Sequence, residues 1–369
     1  MSSKKKHIAI VAGGYSSEKD ISLQSAHEVL KSLDREYYEP SLVEITSDGW
    51  FVKNGSPVGV PINRHDFSYM SNGNATHFDA VFNAIHGHPG ENGILQAYFE
   101  LLNIPFTGCS SFCSSVTFNK YACKSLIRQA GIPVARSILI RENERISTEN
   151  ILRQVGLPCF VKPNNGGSSC GISRVNEAGE LVKAIGLALA EDNEVIIEEF
   201  IPGREITCGV VSTKKEFIAF PITEIISKKE FFDYEAKYTP GGADEITPAN
   251  IPESLAINCQ EKSKKIYTFL GCKGMVRVDY ILSQDQLWFL EINTIPGLSE
   301  HSIVPQQIRA LGRQTSEIFS ALLDDIIESS TPIIIPIYHE TKVHFTGPRP
   351  GSRRSFSFFL SKGRTIIQQ

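Results

Sequence analysis

The residues best suited to chemistry lie in Met275–Ser302, MVRVDYILSQDQLWFLEINTIPGLSEHS. Val276, Val278 and Tyr280 alternate with Arg277, Asp279 and Ile281. A second apolar run, Leu287–Ile292, follows the polar turn Ser283–Gln286. This is the pattern of a β-hairpin. Side chains two apart share a strand face, so Arg277 and Asp279 project together, as do Glu291 and Asn293. With Gln284-Asp285-Gln286 as the loop, Asp279 faces Glu291 and Arg277 faces Asn293, about 4.5–5.5 Å apart at Cβ. Two carboxylates that close repel unless a cation lies between them. Carboxylate and amide oxygens suit Mg²⁺, usually shared with substrate phosphates. A solvated face of mixed charge is the plain alternative. The apolar opposite face and the immediate Pro296-Gly297 favour a metal–phosphate site.

Two further stretches carry candidate ligands. Lys5–Ala12 reads as a buried strand that ends in Gly13-Gly14, with Ile21–Leu33 following at helical spacing. Backbone N–H groups face a ligand at such a strand–turn–helix junction. Glu18 places a carboxylate among those donors. It either complements the helix dipole or holds a substrate ammonium. Farther on, Phe160-Val-Lys162-Pro163 ends a strand, and Asn164-Asn-Gly-Gly-Ser-Ser-Cys-Gly171 follows. A Gly/Ser loop just after a lysine suits wrapping over phosphates, although it is not a G-x-x-x-x-G-K-[ST] loop.

The elements that must position these residues alternate. Pro40–Ile45 and Phe78–Ile85 read as strands, Trp50–Met70 as a polar loop, Ile94–Leu102 as a helix and Ile104–Gly108 as a strand. Residues 1–108 thus form a doubly wound parallel-sheet domain, with Glu18 and His86 at strand C-terminal ends, where ligands bind. A helix from Lys120 closes at Gly131. Glu180–Leu189 and Glu253–Phe269 are helices, Glu194–Phe200, Ile206–Val211 and Phe217–Pro221 are strands, and Val304–Ile327 supplies closing helices. Ser227–Pro252 lacks an apolar period and reads as a long, lid-like loop.

Composition narrows the class. The chain has 369 residues, 41% hydrophobic and 21% charged, enough for two or three domains with real cores. A net charge of -4 argues against a nucleic-acid partner. No apolar run is long enough to span a bilayer, and no secretory signal pattern opens the chain. The eight cysteines include no C-x-x-C pair and predict reduced, mostly buried thiols in a cytoplasm. The tail from Pro332 carries six Lys/Arg against one acid, Glu340. It reads as disordered, artefactual or an added extension.

Six stretches in order carry a resemblance. They are Gly13-Gly-Tyr-Ser-Ser-Glu18, His86-Gly-x-x-Gly-Glu-Asn-Gly93, Val161-Lys-Pro-x-x-x-Gly-Ser-Ser169, Phe231-Phe-Asp-Tyr-Glu-Ala-Lys-Tyr238, Arg277-x-Asp279, and Glu291-x-Asn-Thr-x-Pro-Gly297 with His301-Ser302. Together they resemble the D-alanine–D-alanine ligases of the ATP-grasp superfamily, over about residues 7–330. The resemblance implies an α/β (in parts α+β) ATP-grasp fold. In it, 1–108 binds substrate, 109–198 is the central subdomain, 199–332 carries the metal site and a mobile loop, and 333–369 is the basic tail.

It also implies roles. Lys120 and Lys162 neutralise ATP phosphates beneath a loop holding Ser168 and Ser169. Glu198–Ile201 lines the adenine slot, with backbone groups of Glu199 and Ile201 reading its edge, and Glu205 holds the ribose. Asp279, Glu291 and Asn293 hold two Mg²⁺ (or Mn²⁺), and Lys237 reaches the γ-phosphate. Glu18, supported by His86, binds the first D-alanine's ammonium, and Ser302 binds the second one's carboxylate. Arg277 and the Gly297 N–H stabilise the tetrahedral oxyanion.

The implied reaction runs through an acyl phosphate to D-alanyl-D-alanine, for peptidoglycan synthesis, in a cytoplasmic homodimer without nucleic-acid or membrane partners. A hydrogen-bonded line from Glu18 through Ser168 to Tyr238 closes the long loop. Relatives that make D-alanyl-D-lactate usually lack that tyrosine, so Tyr238 favours the dipeptide over a D-lactate or D-serine acceptor. A non-catalytic nucleotide-binding ATP-grasp protein is the remaining alternative, and it predicts a lost metal ligand or a lost Arg277. Asn164, Asn165 and Gly167 depart from the charged residues many relatives carry in the phosphate loop.

Overall fold

A computed structural model of the chain describes residues 5–53, 55, 58–144, 147–167, 170–227 and 243–330. Ser168, Ser169, Lys237, Tyr238 and the tail from Pro332 lie outside them. The described part carries three sheets, each covered by helices.

The first sheet is nucleated by β1 (Lys6–Gly13), whose residues Ile8–Ala12 are fully buried. A parallel strand covered on both faces reads as such an unbroken apolar run. β1 pairs in parallel with β2 (Tyr38–Thr46) and β7 (Ala80–Asn83). One face is closed by α1 (Lys19–Ser32), with Ala26 and Val29 buried. The other is closed by α2 (Ile94–Leu102), through Leu95 and Phe99.

Trp50–Met70 is not a plain loop. The short strands β3 (Gly49–Val52), β4 (Val60–Asn63), β5 (Ser68–Ser71) and β6 (Asn74–Thr76) extend the sheet antiparallel beyond β2. Each is only three or four residues long, too short for an apolar alternation to show in sequence. Ile104–Gly108, expected as a strand, makes only a parallel bridge between Phe106 and Val81.

The second sheet has four strands, in the order β10 (Ser173–Val175), β9 (Cys159–Pro163), β11 (Glu194–Glu199) and β8 (Ser137–Arg141). Two helices, α5 (Thr148–Val155) and α6 (Leu181–Leu189), bury their apolar stripes on it. Before it come α3 (Ser111–Phe118) and α4 (Lys120–Gln129), capped by Ser110 and Asn119.

The third sheet is built on β12 (Arg204–Ser212), with β13 (Phe217–Ala219), β14 (Thr223–Ser227), β15 (Ala243–Ile246), β16 (Gly274–Ser283) and β17 (Gln286–Asn293). Inside the stretch expected as one long loop, Ala243–Ile246 is therefore a strand paired with β14. α7 (Glu253–Phe269) covers one face, so that Val276, Val278 and Tyr280 meet Leu255, Cys259 and Ile266 in one core. α8 (Ile303–Ala310) and α9 (Thr315–Ser330) return to the first sheet. Ile308, Phe319 and Leu323 share a core with Ile8, Ile10 and Phe82.

Candidate active site

The β16–β17 hairpin faces Asp279 with Glu291 and Arg277 with Asn293. The expected pairing holds, but the turn that sets it is different. Gln284 and Asp285 alone form it, both with positive φ (49° and 59°), as a two-residue hairpin turn of matching twist requires. That turn by itself would set Asp279 against Leu290. A bulge between Asp279 and Tyr280 shifts the register by one, moving the carboxylate of Glu291 across from Asp279 while Phe289 stays in the core opposite Tyr280. Bulges of this kind re-aim side chains beside active sites.

Asp279 is 2% exposed and fully engaged. Arg277 donates through Nε (2.9 Å) and Nη2 (2.8 Å) to its two oxygens. Asn293 Nδ2 donates at 2.9 Å, and the Thr207 hydroxyl donates from the neighbouring strand. Burial alone would lower Arg277, but Asp279 first and then Glu291 and Glu205 hold it above its ordinary range, so it is permanently charged.

A second charged group forms the floor. Glu198 on β11 is buried between Lys124 of α4, in close contact, and Lys162 of β9 at 2.9 Å. Burial pushes the carboxyl up, yet the two ammonium groups outweigh it and hold Glu198 at about 2. Burial likewise opposes the charge on Lys162, and Glu198 and Glu291 together more than offset it. Lys120 Nζ donates to the Gly166 carbonyl at 2.6 Å, and burial lowers this lysine. The Glu198 carboxylate is thus committed to two lysines. Glu199 accepts from Arg136, from the backbone N–H at 2.7 Å and from Nε at 2.6 Å.

The asparagines of the Gly/Ser loop have a structural use. Asn164 is fully buried. Its Oδ1 accepts from the Tyr121 N–H at 2.9 Å and its Nδ2 donates to Glu194 at 2.8 Å. Asn165 donates to Asp192. Asn164 fastens the loop to the start of α4, where Lys120 begins the helix, and Asn165 fastens it to the segment after α6.

At the other end, Glu18 is the N-cap of α1 but makes no side-chain cap hydrogen bond. Its Oε2 lies where a Cβ on Gly167 would meet it at 2.8 Å, so the Gly/Ser loop passes close beside the carboxylate. His86 is buried, and burial lowers its affinity for a second proton. Its Nδ1 lies 2.7 Å from the Ile295 carbonyl, which only accepts, so Nδ1 carries the proton. Nε2 then accepts from Ser25 Oγ (3.1 Å), and that oxygen accepts the Leu298 N–H (3.1 Å). This chain ties α1 to the Pro296-Gly297 turn. Beyond it, Ser302 Oγ pairs with Ser299 Oγ at 2.7 Å.

One cleft of about 1000 Å³ is lined by every expected site residue among those described: Glu18, His86, Lys120, Lys162, Glu198, Glu199, Ile201, Glu205, Arg277, Asp279, Glu291, Asn293, Gly297 and Ser302. The residues come from all three sheets. Two further charged groups in the same cleft were not expected, the buried Lys124 and the half-buried Glu91. Lys124 carried a signal, since it lies one helical turn after Lys120. Glu91 is held up at about 7, by burial first and by Glu18 next, with its Oε2 accepting from the Gly87 N–H at 3.0 Å.

The donor set suits a hard cation. Asp279, Glu291 and Asn293 offer oxygens from facing strand positions, and the Asn293 amide can turn its oxygen inward. Such all-oxygen sets select Mg²⁺ or Mn²⁺ over softer ions. The anionic residues face lysines across the cleft, an arrangement suited to polyphosphate held with metal.

Comparison with known proteins agrees. Residues 7–109 match the family model described as D-ala D-ala ligase N-terminus, and residues 126–327 match D-ala D-ala ligase C-terminus. The chain belongs to the D-alanine–D-alanine ligase family. It is 48% identical to the D-alanine--D-alanine ligase of Azobacteroides pseudotrichonymphae genomovar. CFP2, over 87% of this chain and all of that one. Among solved structures, it is similar to the D-alanyl-alanine synthetase A of Vibrio cholerae O1 biovar eltor str. N16961, with TM-score 0.80 and 26% identity over 89% of this chain and 99% of that one. It is also similar to the VanG D-Ala:D-Ser ligase of Enterococcus faecalis, with TM-score 0.78 and 33% identity over 87% and 99%. The fold is therefore that of the ATP-grasp ligases, and the chain is an enzyme of the ligase class. Among the described residues, no helix is long and apolar enough to cross a membrane.

Proposed function

We propose that this ligase joins two D-alanine molecules into D-alanyl-D-alanine, converting ATP to ADP and phosphate through a D-alanyl phosphate, to supply peptidoglycan precursors. The arrangement that carries this reading is the Arg277–Asp279 clasp opposite Glu291 and Asn293, in one cleft with the Glu198 lysine pair and with Glu18.

Lys120, Lys124 and Lys162 form a cationic floor for the triphosphate, with Glu198 fixing two of them in place before ATP arrives. The Glu199 carbonyl and the Ile201 N–H are the groups assigned to the adenine edge, and Glu205 is assigned to the ribose. Asp279, Glu291 and Asn293 would hold Mg²⁺ or Mn²⁺, two ions by resemblance, whose charge offsets the repulsion between a carboxylate and a triphosphate.

Glu18 binds the ammonium of the first D-alanine and so orients its carboxylate toward the phosphates. His86 is a positioning residue, since both its ring nitrogens are engaged by the chain. The amine of the second D-alanine attacks the acyl carbon as phosphate leaves, and Ser302 holds that molecule's carboxylate. Arg277 and the Gly297 N–H stabilise the oxyanion. Ser168, Ser169, Lys237 and Tyr238 keep the roles the resemblance implies, closing the site so that water does not hydrolyse the acyl phosphate. We place the enzyme in the cytoplasm as a homodimer, with residues 1–108, 109–198 and 199–332 as its three domains.

The test is phosphate release from ATP with D-alanine, with L-alanine, and without Mg²⁺. Release requiring both D-alanine and the ion is expected. Release that ignores either one, or no release while ATP still binds, would overturn the reading and favour a nucleotide-binding role.

A further inference from the structure

Outside the cleft, three cysteines far apart in sequence converge. Cys109 follows Gly108, Cys113 lies on α3, and Cys272 lies in the short segment between α7 and β16. Their sulfur atoms all lie within 4.8 Å of one another, and Cys113 Sγ is 3.7 Å from Cys272 Sγ. The three are 1%, 2% and 7% exposed. The convergence depends on a close backbone approach. Gly274 has φ +68°, and a Cβ there would meet the Gly108 nitrogen at 2.9 Å. Beside this contact, the Lys273 N–H donates to Cys109 Sγ at 3.5 Å.

Buried cysteines often act only as small apolar side chains, but that use does not require sulfurs to meet at a point. Metal–sulfur bonds of about 2.3 Å set sulfur atoms about 4 Å apart around a trigonal centre. The triangle, with one edge of 3.7 Å and none above 4.8 Å, can close around such a centre. Thiolate ligands select soft ions, unlike the oxygens of Asp279, Glu291 and Asn293.

We propose that Cys109, Cys113 and Cys272 form a three-thiolate site for one soft metal ion of the Zn(II) or Cu(I) kind, separate from the magnesium site. On binding, the thiol protons leave to solvent. The bound ion would fasten α3, which leads into Lys120 and Lys124, to the segment five residues ahead of Arg277.

The test uses the full chain, reduced and anaerobic, with saturating Mg²⁺ to occupy the oxygen ligands, titrated with Cd(II) as the probe. A thiolate-to-metal absorption band saturating at one equivalent is expected, with X-ray absorption reporting three sulfur neighbours. Cys113→Ser should lose the band and Cys159→Ala should keep it. If Cys113→Ser does not fold, the sulfur count in the unaltered protein decides alone. Displacement of Cd(II) by Zn(II) or by Cu(I) tells which ion the site takes. No saturable band, fewer than three sulfurs, or displacement by neither ion would overturn the proposal.

Discussion

Arg277 grips Asp279 with two hydrogen bonds, 2.9 and 2.8 Å, from two positions along the same strand. One residue proposed to steady an oxyanion is thus held by one proposed to bind metal. The fork geometry matters, because a lysine cannot reproduce two parallel bonds.

Arg277→Lys should therefore lower kcat by about 10²–10³, the usual loss for an oxyanion donor, while ATP binding changes little. Steady-state kinetics beside direct nucleotide titration separates the two. An unchanged kcat would remove Arg277 from the mechanism.

Glu198 should matter first to stability. Glu198→Gln leaves Lys124 and Lys162 facing each other without a counter-charge, a change that costs about 3–5 kcal/mol when a buried pair is broken. The carboxyl is held at about 2 in the folded protein, below its unfolded value of about 4.3. Its contribution is present above about pH 4.3 and is lost as the pH falls toward 2. Urea unfolding of both proteins should show a gap at pH 7 that narrows in acid. A gap independent of pH would contradict the ion-pair account.

Glu91 has the opposite sign. Its carboxyl is raised to about 7, so its favourable protonated form is fully present below about pH 4.3. That contribution is lost as the pH rises through 7. Glu91→Gln keeps an oxygen for the Gly87 N–H and removes the titration. The stability of the unaltered protein, measured relative to this variant, should fall between pH 4.3 and 7. A flat difference would mean that Glu91 does not titrate there.

Ser302→Ala should raise KM for D-alanine at the second position while leaving KM for ATP unchanged, by about tenfold if one hydrogen bond to a charged group is lost. Initial rates at varied D-alanine resolve this. A matching rise in KM for ATP would place Ser302 elsewhere in the cleft.

The hairpin was legible in sequence because one strong alternation carries both the core (Val276, Val278, Tyr280) and the polar face. The reason for its register was not, because a bulge at Leu290 and a two-residue turn together give the same pairing as a three-residue loop. The strands between Trp50 and Thr76 stayed hidden because each is too short for an apolar alternation to show. Lys124 and Glu91 matter through the charged neighbours that the fold gathers around them. The cysteine triangle has no sequence signal, as Cys272 lies 159 positions from Cys113.

The acceptor decides what this ligase makes. The most direct measurement is the mass of the product formed from ATP, Mg²⁺ and isotopically labelled D-alanine, with equal unlabelled D-serine and D-lactate present. Doubly labelled D-alanyl-D-alanine, with one phosphate released per dipeptide, is the predicted result. A singly labelled product containing D-serine or D-lactate would contradict it.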